Sequence, residues 1–329
     1  MTNDAVSLRD VTKCFGAVRA VDGLSLDIPA GQTVALLGPN GAGKSTTIGL
    51  LLGLLAPGSG TVRVFGDSPE SAVRSGRLAA MPQEGGLVPR TTVRELVGFV
   101  SGTYRSPLPL EEVLATAGLE GLAGRRMERL SGGQAQRVRF ALALAGDPDL
   151  MLLDEPTAAL DVRARREFWE SMRAFAARGK TIVFSTHYLE EADEYADRVV
   201  VIDRGRIAAD GTSREIKRLV ALSTVSVTAP GEAVSLERLP GVVSAEIRGG
   251  RAHLRTRDAD ATVVALAAAG AVRDLEVVPA ALEDAFIALT ELTPGSAPAQ
   301  APGPTPGPAP GQAPGQAPGQ APGMAEVEA

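Results

Sequence analysis

A chain of 329 residues allows about two domains, and its net charge of −6 gives no basic surplus of the kind a nucleic-acid binder carries. The single cysteine, Cys14, excludes an internal disulfide framework and suits a reducing compartment. The N-terminal MTNDAVSLRD has no basic-then-apolar signal pattern, and the most apolar early stretch, IGLLLGLLA at 48–56, is nine residues long where a membrane span needs about 20. No nucleic-acid partner and no unaided bilayer crossing are therefore expected.

In chain order, AVSLRDVT and SLDIPA are short alternating stretches that predict strands. Cys14 and Phe15 read as ordinary core residues. TVALLG (33–38) is a continuous apolar run ending at glycine, as a buried parallel strand does. It runs into GPNGAGKST, which satisfies G-x-x-x-x-G-K-[ST] from Gly38 to Ser45. Gly38, Gly41 and Gly43, with Asn40 between them, let backbone N–H groups turn onto phosphate oxygens ahead of a helix opened by Lys44, Ser45 and Thr46. Lys44 reaches the β and γ phosphates, and the Ser45 hydroxyl is a magnesium ligand.

Residues 91–146 are helix-rich, and Thr92 with Glu95 fits a capping box. Gln83, in MPQE just before them, carries no physical signal of its own. LSGGQAQR places Ser131, Gly132, Gly133 and Gln134 at a helix start, 87 residues beyond Lys44. Free N–H groups and the helix dipole favour an anion there too, so one chain holds two phosphate cradles.

LMLLDEP (150–156) and TIVFSTH (181–187) predict two more buried strands. Asp154 and Glu155 fall at the carboxyl end of the first, where ligands of α/β sheets bind. Alternation along a strand gives adjacent carboxylates two jobs. Asp154 holds magnesium or its water, and Glu155 orients and deprotonates the attacking water. His187 ends the second run at the same sheet edge and is placed for a γ-phosphate contact. RVVVIDRGRIAADG predicts a hairpin, and Thr212 with Glu215 a second capping box. Strands separated by helices imply a parallel α/β core over residues 1–221, with a helical subdomain at about 91–146.

Residues 222–293 change character: the order strand, helix, hairpin, helix, strand, helix predicts a small α+β, ferredoxin-like unit turning at Gly249-Gly250. His253, in the hairpin, reads as a solvated or core residue. From 294 to 329 the chain is Pro, Gly, Ala and Gln, with glycines from 303 to 323 every four residues where collagen needs three. Such a segment is expected to be a disordered tether.

Taken together, GPNGAGKST, Gln83 in MPQE, LSGGQ, LMLLDEP, Ala159-Leu160-Asp161 and STH, in that order, resemble the ATP-binding subunit of an ABC transporter. The resemblance implies a P-loop ATPase fold with ATP and Mg²⁺ as cofactors. It matches Phe15 to the aromatic that stacks on adenine. It matches Gln83 to the glutamine that senses magnesium and the attacking water and couples to the membrane subunit. Asp161 matches the aspartate that crosses the dimer interface, and His187 the switch histidine. In this family two subunits pack head to tail, so that Ser131, Gly133 and the neighbouring amides of one close over the ATP of the other. Two half-sites on one chain then make sense as a two-fold pair. Phe15 replaces a common tyrosine, and Ala158-Ala159 a common Ser-Gly.

With no spans of its own, the chain is expected to work with a separate permease at the cytoplasmic face of the membrane, anchored near residues 84–105. LEVVPAALEDAFIALTE and TTVRELVGFVSGTY resemble type 2 exporter ATPases, the group that includes daunorubicin-resistance subunits. That implies multidrug, antibiotic or lipid-like export. The alternatives are an importer ATPase whose C-terminal domain is regulatory, and a permease-free ABC ATPase serving cofactor assembly or translation machinery.

Overall fold

The run Thr33–Leu37 is buried at every position because it lies within a sheet covered on both faces. Its even residues Val34 and Leu36 enter one core and its odd residues Ala35 and Leu37 the other. The computed structural model describes residues 4–83, 88–220, 222–229, 235–279 and 281–291. Glu84 of MPQE, residues 84–87 of the expected anchoring segment and the expected tail at 294–329 lie outside them.

The central sheet has six strands in the order Leu78–Met81, Leu150–Asp154, Thr181–Ser185, Thr33–Leu37, Arg198–Asp203 and Arg206–Gly211. The first five are parallel, and the last returns antiparallel as the predicted hairpin. Four of the parallel strands therefore deliver residues 38–46, 83, 154–155 and 187 to one edge.

The two N-terminal strands are longer than their apolar patterns imply. Asp4–Phe15 and Val18–Pro29 form an antiparallel hairpin, which Ser59–Val64 extends to three strands. Cys14 and Phe15 are not core residues. They pair with Arg19 and Val18 at the hairpin tip, beyond the packed layer, and both are exposed.

On the opposite face, helices Val93–Ser101, Leu110–Thr116 and Gly132–Leu144 make up the helix-rich region. Thr92 and Glu95 form the expected capping box, as do Thr212 and Glu215 ahead of helix Ser213–Val220. Helix Val162–Ala177 carries Trp169 into the centre of that core. The indole is edge-on to Phe168 and Phe184 and stacked on Tyr195 at 4.7 Å. Trp169→Ala should cost about 3–5 kcal/mol of stability in denaturant unfolding. Trp169→Phe, which removes an indole N–H that has no partner, should cost less.

The small unit has four antiparallel strands in the order Val242–Arg248, Arg251–Thr256, Ser223–Thr228 and Glu276–Val278. That is the ferredoxin-like order, with the predicted turn at Gly249-Gly250. The helix expected at SLERLPG is only a 3-10 turn, Leu236–Arg238, cut short ahead of Pro240, whose ring cannot continue a helix. Helix Ala259–Ala268 covers the sheet, and His253 bonds Ser226 across it at 2.9 Å.

The terminal helix Leu282–Glu291 goes elsewhere. Leu282 and Ala285 are buried in the same core as Trp169, and Phe286 and Leu289 pack against it. Its neighbours are helices Ser213–Val220 and Leu189–Tyr195. Among the described residues no helix is long and apolar enough to cross a membrane.

Candidate active site

The loop after Thr33–Leu37 is braced from below. Ala42 N–H donates to the Pro39 carbonyl at 3.1 Å, and the Ala42 carbonyl accepts from Gly205 N–H at 2.8 Å. Gly205 belongs to the hairpin turn between the last two strands, and its carbonyl accepts from Asp22 N–H. Gly43, at φ +108°, caps helix Lys44–Leu51; a Cβ there would lie 2.4 Å from the Ala20 carbonyl oxygen. Gly41, at φ +81°, faces open space. The left-handed turns that only glycine adopts freely thus bring N–H groups to a helix start with its positive dipole end.

The loop lines a cavity of about 310 Å³ together with Val18, Ala20, Gln83, Asp154 and Glu155. Asn40, Gly41, Gly43, Lys44, Ser45 and Thr46 all face it. The Lys44 ammonium donates to the carbonyls of Gly38 at 2.6 Å and Pro39 at 3.2 Å, which uses two of its three donors. Burial pushes its pKa below the usual lysine value, against the opposing pull of Glu155 and Asp154.

Strand Leu150–Asp154 ends at Asp154, which accepts from the Ser185 hydroxyl. Glu155 is already off the strand, at φ +51°. Strand alternation therefore does not separate the two carboxylates. A left-handed residue does so, and both still reach the one cavity. Asp10, Phe65, Arg90, Asp147, Arg204 and Asp274 adopt a similar φ elsewhere, so the conformation redirects the side chain and does not by itself mark a functional position. The Glu155 N–H is shared between the Ser185 carbonyl at 3.2 Å and the Ser185 hydroxyl at 3.1 Å. The Glu155 carboxylate bonds His187 Nδ1. His187 does not line the cavity, and the Glu155 carboxylate is its link to it.

Phe15 is half exposed on the same hairpin as Val18 and Ala20, with the Lys13 ammonium 5.5 Å from its ring centre. Ser131, Gly132, Gly133 and Gln134 do not line the cavity of their own chain. Ser131 and Gln134 cap helix Gly132–Leu144 reciprocally. Gly133 abuts the Leu160 side chain, and Gly132 lies near Ala159. Asp161 accepts from Ala164 N–H at 2.8 Å and so caps helix Val162–Ala177. Gln136, buried, donates to the Pro156 carbonyl at 2.8 Å and ties the glycine-rich helix to the Asp154–Glu155 turn. Sequence reasoning missed Ser185 and Gln136, whose partners lie 20 to 31 residues away. The one local signal was a polar residue ending the apolar run TIVF.

The donors facing the cavity near Lys44 are the Ser45 hydroxyl, the Gln83 amide and the Asp154 carboxylate. These are hard oxygen ligands of the kind magnesium takes, so the residues fit that ion.

Comparison with known proteins agrees with this geometry. The family described as ABC transporter matches residues 21–158, and the family described as ATP-binding protein DrrA1-3-like, C-terminal domain, matches residues 211–290. The Nod factor export ATP-binding protein I of Paraburkholderia xenovorans is 38% identical over 301 residues, covering 88% of this chain and 98% of that protein. The protein of the same name from Rhizobium sp. strain N33 is equally similar, with the same coverage. A solved ATP-binding subunit of an ABC transporter superposes with a TM-score of 0.60 at 29% identity, covering 65% of this chain and 92% of that one. A dimeric ATP-binding cassette in a post-hydrolysis state, bound to ADP and Pi, gives 0.58 at 29% identity, covering 63% and 98%.

Proposed function

The chain belongs to the ABC transporter ATP-binding family and is an ATPase, and from that premise we propose that it is the motor subunit of an exporter. In this reading two copies sandwich two ATP molecules and drive a separate permease at the cytoplasmic face of the membrane. The observation that carries it is the convergence of Lys44, Ser45, Gln83, Asp154 and Glu155 on one cavity, with LSGGQ facing elsewhere on the same chain. The DrrA1-3-like C-terminal match and relatives named for Nod factor export support export over import. The cargo class proposed is amphipathic: a drug, an antibiotic or a lipid-like molecule. The proposed division places the ATPase in residues 1–221 and the small unit in 222–293, with helix Leu282–Glu291 of the second span packed on the core of the first.

Within each site, backbone N–H groups of 40–46 and the Lys44 ammonium hold the phosphates, and Phe15 stacks on the base. Ser45, Gln83 and Asp154 are the residues that would hold Mg²⁺, which neutralises phosphate charge when bound. Glu155 takes the proton from the attacking water, and His187, outside the cavity, fixes the carboxylate through Nδ1. Ser131, Gly132, Gly133 and Gln134 of a second copy, with its Asp161, complete the site, so hydrolysis releases the pair.

Expressed with a candidate permease, a hydrophobic membrane-spanning protein, the chain should fractionate with membranes and be washed off less readily than when expressed alone. Recovery of the chain entirely in the soluble fraction, with that protein in the membrane, would overturn the exporter reading.

A further inference from the structure

Glu191 is 3% exposed, deeper than any other ionisable side chain among the described residues, and the hydrolysis scheme above does not use it. A buried carboxylate is costly unless its oxygens are bonded. Here each oxygen has a threonine. Thr157 Oγ1 donates to one at 2.6 Å and Thr186 Oγ1 to the other at 2.8 Å. Thr157 lies two residues past Glu155, and Thr186 immediately precedes His187. The Thr186 hydroxyl also accepts from Tyr188 N–H at 3.0 Å, so it fixes the backbone on the far side of His187. Arg165, on the helix capped by Asp161, places its Nε 3.4 Å from the Thr157-bonded oxygen and its guanidinium 3.8 Å over the Tyr188 ring.

We propose that Glu191 is a positioning residue for hydrolysis: its carboxylate clamps the Glu155 turn to the His187 turn and sets the geometry of the Glu155–His187 pair. Ser185 joins the two turns from the strand side through Asp154 and Glu155 N–H. Glu191 joins them from the helix side. With only the Ser185 side in place, Thr157 and Thr186 move independently, and the two catalytic side chains lose their register. A displacement of about 1 Å in a catalytic group costs up to about 10²-fold in rate. Nothing in the clamp touches the phosphate loop, so ATP binding does not depend on it. Glutamine keeps one acceptor and turns the other oxygen into a donor, which a threonine hydroxyl accepts.

This proposal rests on Glu155 being the base, and the test separates the two. Steady-state and single-turnover ATPase rates are measured on the full chain carrying Glu191→Ala or Glu191→Gln, each alone and combined with Glu155→Gln. Glu191→Ala is expected to lower kcat about 10–100-fold with KM for ATP within about threefold, and Glu191→Gln to recover most of the loss. In the Glu155→Gln background, Glu191→Ala should cost almost nothing further, because no base remains to be positioned. Thr157→Val and Thr186→Val each break one arm and give the same readout should Glu191→Ala fail to fold. A normal kcat in Glu191→Ala or in both threonine variants overturns the clamp. So does an equal loss in the Glu155→Gln background, or a Glu191→Gln variant as damaged as the alanine. If Glu155→Gln itself turns over normally, the base assignment falls and the clamp falls with it. If Glu155→Gln is inactive and Glu191→Ala is normal, only the clamp falls.

Discussion

Glu155→Gln is expected to bind ATP as the unaltered chain does and to hydrolyse it about 10²–10⁴-fold more slowly. The amide has the shape of the carboxylate, keeps a hydrogen bond to His187 and leaves the left-handed turn undisturbed, so the cavity survives. It cannot take a proton from water. Because ATP is then held without being split, the two-fold pair should persist. Sedimentation should find a dimer with ATP and a monomer without it, whereas the unaltered chain falls back to monomer as ATP is consumed. A normal turnover rate would falsify Glu155 as the base, and a loss of ATP binding would move its role from chemistry to folding.

Gly43→Ala is expected to raise the dissociation constant for ATP about 10–100-fold, while the fold outside the loop persists. The added methyl meets the Ala20 carbonyl oxygen at 2.4 Å, where real Cβ atoms are not found, and the residue sits at φ +108°. Backbone strain at such a position costs about 1–3 kcal/mol. The obstacle is backbone on a paired strand, so the loop gives way instead, and Lys44 and Ser45 move with it. Equilibrium binding of a fluorescent ATP analogue reads the effect. Gly41→Ala is the control: its φ is also positive, but its Cβ would meet nothing within 4 Å, so the loss should be smaller. Equal affinities for Gly43→Ala and the unaltered chain would show that the loop does not need this approach.

What the sequence discloses follows from the range of each interaction. A phosphate loop must be contiguous, since successive N–H groups converge on one anion, and GPNGAGKST is readable for that reason. The capping boxes at Thr92 and Thr212 span four residues each and are readable for the same reason. Buried strands disclose themselves because parallel sheets are apolar on both faces, as at 33–37 and 150–153. The rest is settled by distant chain. Strand alternation implied two directions for Asp154 and Glu155, but a single left-handed residue redirects Glu155, and no residue type announces it. Phe15 and Cys14 look apolar enough for a core, yet they lie past the end of the layer that would bury them. Glu191 sits in an ordinary-looking LEEA, and its burial depends on Thr157, Thr186 and Arg165 arriving from other elements.

The terminal helix Leu282–Glu291 closes the core that strands beginning near residue 35 open. During synthesis, therefore, that core gains Leu282 and Ala285 only after the chain up to about residue 291 has left the ribosome. The ferredoxin-like sheet is an excursion made before that closure, more an insertion than an appendage. A chain stopped at residue 221 would uncover the apolar side chains of helices Ser213–Val220 and Leu189–Tyr195 that helix Leu282–Glu291 covers, so its loss would change the ATPase itself as well as remove the small sheet.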